Sequence, residues 1–529
     1  MINRFSSLLL LACLSLMAGC ASLPPPQDRS VSTASTDTAD TRLGRAVAPY
    51  IAMHPGKSGI HELTAAYDAF AARALLADAA QKTLDAQYFI WSGDQVGTLL
   101  FERLWKAAER GVRVRLLLDD ASTSGLDPTL AALAAHPSIE LRLYNPFAQR
   151  DARAWAYLTN FGRLNRRMHN KSFTVDNQVT VIGGRNIANE YFGAGSGIGF
   201  ADIDVLAIGL TVAEVSTEFD LYWNSPSAYP AAGFVGSSGA DGAAALQSLF
   251  DAARADPVSV DYLNAVRQTP IMSELLSEQI VFEWTTAQVL YDDPAKTLDT
   301  SERTDVLLFP ELMKRLGRPE NSFDIVSPYF VPGDEGTAML AEMARRGVKV
   351  RVLTNSLAAS DERIVHAGYL KRREDLLRAG VVLYELKPTA NKSKLQVEGR
   401  FGAGKVAGLH AKTYAVDSAR FFVGSFNFDL RSARLNTEMG VVIDSTRGGD
   451  AFARFFETEA PLIAYEVRLA AAGEGLASGE ASMAQGARLV WIARTASGEE
   501  KRYDVDPETD WSTRFGVGFL SALPIDWLL

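Results

Sequence analysis

The sequence predicts an α/β protein of two similar domains, each a mixed sheet flanked by helices, facing each other across one shared site. Three observations predict it. Residues 85–120 (DAQYFIWSGDQVGTLLFERLWKAAERGVRVRLLLDD) and 324–356 (DIVSPYFVPGDEGTAMLAEMARRGVKVRVLTNS) follow one pattern. Each runs from an apolar strand through a Gly-Asp turn and an amphipathic helix to Gly-Val-basic-Val-Arg and a second apolar strand. Strands alternating with helices at this spacing imply right-handed βαβ units. Second, residues 168–186 (MHNKSFTVDNQVTVIGGRN) match residues 409–427 (LHAKTYAVDSARFFVGSFN), so the chain carries an internal duplication. Third, residues 225–322, which open on a Gly/Ala/Ser-rich stretch, have no counterpart in the repeat and read as a connection with extra helices.

These observations divide the chain into a signal segment (1–20), a disordered tether (21–48), a first domain (49–224), a connecting segment (225–322), a second domain (323–480) and a C-terminal extension docked on the core (481–529). In the signal, Arg4 precedes an apolar run from Leu8 to Met17 and a small-residue ending, Met17-Ala18-Gly19-Cys20. That ending resembles a bacterial lipobox and marks Cys20 for acylation, so the expected product is an exported, membrane-anchored lipoprotein of a Gram-negative bacterium, facing the periplasm. Ala21 leaves the choice between inner and outer membrane open. The following stretch, 24–45, is rich in Pro, Ser, Thr and Asp and has almost nothing to bury. Cys13 and Cys20 are the only two cysteines, so the mature chain forms no internal disulfide. No later run is apolar for long enough to span a bilayer.

With 47% hydrophobic and 22% charged residues among 529, the chain has the composition of a folded protein. A formal net charge of −10 argues against a dedicated nucleic-acid binder, which would carry a basic face. A local cluster, Arg163, Arg166 and Arg167, stands just before the first repeat motif; it reads either as a solvated turn or as a patch for anionic headgroups.

The chemistry lies in the duplicated motif H-x-K-x4-D-x6-G-[GS]-x-N. His169 and His410, Lys171 and Lys412, Asp176 and Asp417, and Asn186 and Asn427 are each 241 positions apart. One HxK on a strand would mean little; a whole polar pattern repeated in register does not arise by chance. Residues two apart on a strand share a face, so each His projects with its Lys. The apolar stretches that follow read as hairpin partner strands whose glycine turns return Asn186 and Asn427 to the His-Lys pairs. One imidazole can attack phosphorus while the other protonates the leaving alcohol and then serves as base. Two ammonium and two amide groups can hold the non-bridging oxygens. Lysines fill the electrostatic role, so neither metal nor cofactor is expected, and no His/Cys cluster has ligand spacing.

These two stretches resemble the duplicated HKD motifs of the phospholipase D superfamily, and the resemblance runs from about residue 50 to the end. It implies that the two histidines, lysines and asparagines line one site, with Asp176 and Asp417 acting more as structural support than as proton donors. It also implies that an acidic residue beyond each motif orients a histidine. Glu438, in RSARLNTEMG, fits that role; in the first half FADID offers Asp202 or Asp204, with Asp202 favoured. Gly184 stands where the second motif has Ser425, which suggests that the histidines are unequal; by resemblance His169 is the nucleophile. Aromatic residues near the first strands (Tyr88, Phe89, Trp91, Tyr329, Phe330) are candidates for walling the site against water, though core packing is the commoner use.

GGRNIANEYFG, LTNSLAASDERIVHAGY and VGSFNFDLRSARLNTEMGVVIDS look like the bacterial cardiolipin synthase C group. That likeness implies transfer of a phosphatidyl group from a donor, phosphatidylethanolamine, to phosphatidylglycerol, with a small accessory protein as a partner of some members. Two other readings stay open at this level: a phospholipase D-type hydrolase, in which water resolves the phosphohistidine, and an exported nuclease, which needs a basic groove. A scaffold with a relic site would need a broken motif, and both are intact.

Overall fold

The computed structural model describes residues 23, 29–194, 199–271, 274, 279–298, 307–388, 406–470 and 489–524. The signal segment, the Cys20 lipobox and the last five residues of the C-terminal extension lie outside the described residues. Two large mixed sheets carry the fold. The first has nine strands in the spatial order Glu283–Thr285, Ser58–Leu63, Asp204–Gly209, Val179–Gly183, Ser172–Val175, Thr83–Tyr88, Arg113–Asp119, Ile139–Tyr144, Ala228–Pro230. The second has ten: Ala287–Tyr291, Met439–Asp444, Arg420–Gly424, Thr413–Val416, Ser322–Val326, Lys349–Asn355, Val382–Leu386, Ala464–Leu469, Leu489–Arg494, Glu500–Tyr503. The duplication is visible in the shared centre of the two orders. In each half, three successive βαβ strands are parallel and the motif hairpin joins their edge antiparallel.

Helices cover both faces of the parallel strands, which is why those strands are buried along their length and not alternately. One polar pair is tolerated inside each. The Arg that ends each Gly-Val-basic-Val-Arg run meets the Asp that opens its repeat: Arg115 forks onto Asp85 at 2.7 and 2.8 Å, and Arg351 onto Asp324 at 2.6 and 2.7 Å. Bidentate geometry of this kind satisfies two buried charges at once.

The halves meet through an apolar layer of Ile182, Val205 and Ala207 against Val423, Val441 and Ile443. The segment read as a connection with extra helices also joins them. Glu283–Thr285 pairs with the first sheet and Ala287–Tyr291, after a single intervening residue, with the second. Thr286 accepts the Asp444 backbone N–H at 2.9 Å, so this segment staples one sheet edge to the other. The helices Gly242–Ala255 and Pro257–Arg267 sit on the first domain.

The expectation of a disordered tether does not hold for residues 29–48. Ser32 lies against the first domain, accepting from Arg115 at 3.1 Å, from Asn224 at 2.9 Å and, through its hydroxyl, from Trp223 at 2.9 Å. Ala34 donates to Asp220 at 2.8 Å. Thr41 caps the helix Arg42–Met53. Composition misled because this segment adds little to the core; its backbone and hydroxyl groups give further partners to Arg115, Asp220 and Trp223.

Each motif hairpin turns through two residues with positive φ, Asp176-Asn177 (50° and 49°) and Asp417-Ser418 (51° and 53°), a backbone that Asp and Asn tolerate. The Asp176 carboxylate accepts the backbone N–H groups of Gln81, Lys82 and Thr83, the closest at 2.7 Å. Asp417 accepts those of Glu320, Asn321 and Ser322 at 2.7–2.9 Å. Each aspartate thereby ties the hairpin to the start of the first βαβ strand. Replacing Asp176 or Asp417 by Ala should destabilise its domain by about 2–3 kcal/mol, by orphaning three charge-assisted donors. Urea denaturation measures the loss, and turnover per folded molecule should stay within a few-fold of the parent.

Candidate active site

The histidines do not lie within strands. His169-Asn170-Lys171 and His410-Ala411-Lys412 are extended segments that lead into Ser172–Val175 and Thr413–Val416. Each is held by a backbone from the other half. His169 N donates to Thr437 O at 2.8 Å, and Thr437 N donates to Arg167 O at 2.9 Å. His410 N and Ala411 N both donate to Ala201 O, at 2.8 and 2.9 Å, where Gly199–Ala201 runs parallel to Val406–Leu409.

This exchange brings the acidic residues across. Glu438 Oε2 lies 2.8 Å from His169 Nδ1, and Asp202 Oδ2 lies 2.6 Å from His410 Nδ1. Glu438 therefore serves the histidine of the first half, and Asp202 that of the second. Asp204, the alternative considered from sequence, is taken up by Arg73 at 2.9 Å and Arg185, away from both imidazoles. With Nδ1 engaged, Nε2 is the ring nitrogen left for chemistry on each side.

The Gly184/Ser425 difference follows from these carboxylates. Ser425 Oγ donates to Glu438 Oε2 at 2.5 Å, and Ser432 Oγ donates to Oε1 at 2.8 Å. A Cβ on Gly184 would meet Asp202 Oδ1 at 2.2 Å. The shorter aspartate occupies the space that a serine side chain takes in the other half.

Both lysines are buried, and each Nζ folds back onto the carbonyl of its own histidine, Lys171 to His169 and Lys412 to His410. Burial pushes their ammonium groups down, to about 7 for Lys171 and about 8 for Lys412, against the pull of nearby Glu438 and Asp202. Burial and the two lysines likewise hold both imidazoles down, His410 to about 3 and His169 well below its ordinary value. The carboxylates differ. Burial pushes Glu438 up to about 7 despite Lys171, whereas for Asp202 the neighbours His410, Lys412 and Arg185 outweigh burial and hold it at about 2. Asn186 Nδ2 and Asn427 Oδ1 are buried without a partner. Asn186 Nδ2, a donor without a partner beside the buried lysines, is placed to meet an anion in this cradle, whereas Asn427 Oδ1 is an acceptor and suits a hydroxyl or N–H.

Other expectations fare differently. Asp176 and Asp417 stand at the far end of the hairpin strand, roughly 13 Å of extended chain from the His-Lys segment, and do not reach the site. Of the five aromatics, Phe89 packs edge-on to His169 with centroids 5.0 Å apart, and Tyr329 donates to Asp361 at 2.9 Å. Tyr88, Trp91 and Phe330 are core residues. The aromatics on His410 are instead Tyr191, edge-on at 4.8 Å, and Phe200 at 5.6 Å. Their stretches carry the family likeness, yet nothing local distinguishes them from core.

The arginine cluster is not a headgroup patch. Arg167 is buried on Asp119 at 2.8 Å, Arg163 bonds Asn145 and Pro146 O, and Arg166 donates to Lys296 O at 2.7 Å. All three hold the loop that delivers His169. Sequence reasoning also missed Asp292, in the connecting segment, whose Oδ2 accepts the Glu438 backbone N–H at 2.8 Å and the Lys296 ammonium at 2.9 Å. Among the described residues no His/Cys/Asp/Glu group has the geometry to hold a metal.

Comparison with known proteins agrees with this geometry. The family described as "Cardiolipin synthase, PLD-like domain" matches residues 75–221 and 312–459, one match in each half. The chain is 43% identical over 488 residues to cardiolipin synthase C of Escherichia coli (strain K12), spanning 92% of this chain and 100% of that one. It is 30% identical over 432 residues to an uncharacterized protein of Helicobacter pylori, covering 81% and 84% of the two chains. Among solved structures, the phosphatidylserine synthase of Haemophilus influenzae aligns over 80% of this chain and 92% of that one, with a TM-score of 0.50 at 13% identity. That likeness is one of fold.

Two outcomes follow from the geometry. Gly184→Ser should push Asp202 off His410 and lower turnover by about a hundred-fold, whereas Ser425→Gly, which removes one of several bonds to Glu438, should cost about ten-fold or less. Steady-state kinetics on both variants checks the asymmetry. The second concerns pH. A lysine whose value is lowered to about 7 or 8 is charged below it and neutral above, so the cradle should bind anions best below pH 7 and lose affinity as pH rises through 8. Titration calorimetry with tungstate, whose charge is constant in this range, should show that loss together with proton uptake on binding.

Proposed function

We propose that this chain, which belongs to the phospholipase D-like cardiolipin synthase family, makes cardiolipin by phosphatidyl transfer between two membrane phospholipids. The observation that carries the reading is the pair of crossed carboxylate–imidazole bonds at a buried, anion-seeking cradle, in a chain alike over its length to a named cardiolipin synthase.

The donor, phosphatidylethanolamine, enters with its phosphodiester between Lys171 and Lys412, and the amide of Asn186 supplies a further contact. That anion raises the proton affinity of the imidazoles, which burial and the two lysines hold low. His169 Nε2 attacks phosphorus; a P–N bond forms as the P–O bond to the headgroup breaks. His410 gives its proton to the departing oxygen, and ethanolamine leaves. A phosphatidylglycerol hydroxyl then loses its proton to His410 and attacks phosphorus, and the P–N bond breaks. One phosphodiester is made for each one broken, so the cycle needs no external energy source. Glu438 orients His169 and offsets the imidazolium charge formed by attack; Asp202, ionised throughout, does the same for His410.

The family places the enzyme at a membrane, and among the described residues no helix is long and apolar enough to cross one. The lipobox-like ending at Cys20 supports acylation as the anchor, with the catalytic domains facing the periplasm.

Expression in cells that lack cardiolipin, followed by lipid profiling, tests the reaction. The parent should restore cardiolipin, and His169→Ala and His410→Ala should each reduce it by ~10²–10⁴-fold. Cardiolipin restored by both variants would overturn the mechanism; phosphatidic acid in its place would make the protein a hydrolase. Cys20→Ser should abolish metabolic labelling with palmitate.

A further inference from the structure

The helix Trp511–Ser521 is apolar on both sides. Its inner face buries Val517 against Leu357 and Ala367, with Leu370 and Leu520 beside them. A surface helix normally turns charged residues outward. This one presents Trp511, Phe515 and Phe519, spaced four apart and 68%, 62% and 61% exposed. Trp511 and Phe515 stack with centroids 5.2 Å apart. The helix has one charge, Arg514, and its guanidinium is drawn back onto Thr509, donating to the carbonyl at 2.6 Å and the hydroxyl at 3.2 Å.

The inner face of the helix packs beside the loop that leads to the active site. Leu357, under the helix, is two residues beyond Asn355, whose side chain brackets Leu409 next to His410 by donating to its carbonyl at 3.1 Å and accepting from its N–H at 2.9 Å. The same loop continues to Asp361, the acceptor of the Tyr329 hydroxyl. Asp510, which caps the helix, lies in the field of Arg363 at the start of the next helix, Arg363–Arg378.

We propose that Trp511, Phe515 and Phe519 form an interfacial docking face that seats the rim of the active site on a lipid bilayer. Three aromatic side chains exposed to this degree offer roughly 400 Å² of apolar surface. That is half of the ~800 Å² per partner of a standard protein interface, which argues against a second copy as the occupant. Exposed aromatic rings are what membrane surfaces take up, where they settle at the headgroup level without spanning. This rests on the reading above that the substrates are bilayer phospholipids. The docking face accounts for how a buried cradle reaches a headgroup that stays in its membrane, a task that a tether at the opposite end of the chain does not perform.

The test uses the full chain carrying Cys20→Ser, so that no acyl anchor contributes, with and without Trp511→Ser, Phe515→Ser and Phe519→Ser together. Binding to vesicles of phosphatidylethanolamine and phosphatidylglycerol is measured by flotation, and turnover is measured on those vesicles and on short-chain lipids dispersed as monomers. The triple variant should bind vesicles at least about ten-fold more weakly and lose vesicle turnover in proportion, with monomer turnover unchanged. In a second arm, an environment-sensitive fluorophore on Phe515→Cys should shift to the blue on adding vesicles. Unchanged vesicle binding overturns the proposal, as does a change of oligomeric state in sedimentation without a change of vesicle affinity. If the parent binds vesicles through this face yet transfers no phosphatidyl group on either substrate, docking stands and the functional reading falls.

Discussion

Each imidazole in this protein is completed by a carboxylate from the other half of the chain. The two bonds, Glu438 to His169 and Asp202 to His410, are made possible by backbone pairings that cross the interface at Thr437 and Ala201. Neither domain contains a finished site. The apolar layer between the sheets, the strap through Thr286 and the Asp292 anchor of Glu438 all hold the two halves at the one spacing where both bonds close. A buried imidazole–carboxylate pair missing its partner would leave an uncompensated polar group, so assembly of the halves and assembly of the site are one event.

Burial sets the electrostatic state of that site. Two ammonium groups and two imidazoles share a water-poor space; burial lowers the proton affinity of all four, and the lysines lower that of the imidazoles further. The most direct relief is an anion between them, which is also the group to be transferred. The two carboxylates are not equivalent in this field, because Asp202 is short, ionised and faces Gly184, whereas Glu438 is longer, bonded by Ser425 and Ser432, and poised near neutrality. A nearly symmetric fold thus acquires two ends of different acidity, as a two-step transfer requires.

Much of the fold was legible because the duplication repeats its periodicity: the βαβ strands and the hairpins follow from residues equivalent in the two halves, whereas the Asp–Arg pairs that the repeats share came only with the structure. The motif residues that gather at the cradle were legible for the same reason. Where reasoning went astray, a local pattern had a distant use. The Ser/Thr-rich tether looks unstructured until its backbone is seen bonded to Arg115 and Asp220. The arginine run looks like a surface patch until Asp119 and Asn145 are placed beside it. Tyr191 and Phe200 look like core until His410 arrives from the other half.

The sequence by itself determined that the chain is an α/β duplication with paired His-Lys-Asn sets, because internal repetition and strand periodicity are properties of the chain alone. Only the tertiary structure decided which carboxylate serves which histidine, that the motif aspartates tie backbone rather than face the phosphate cradle, and that the last described helix turns its aromatic residues outward. Those are relations between residues some two hundred positions apart or more, or between a helix and what it packs on. They are set by how the halves dock, and no local spacing encodes that.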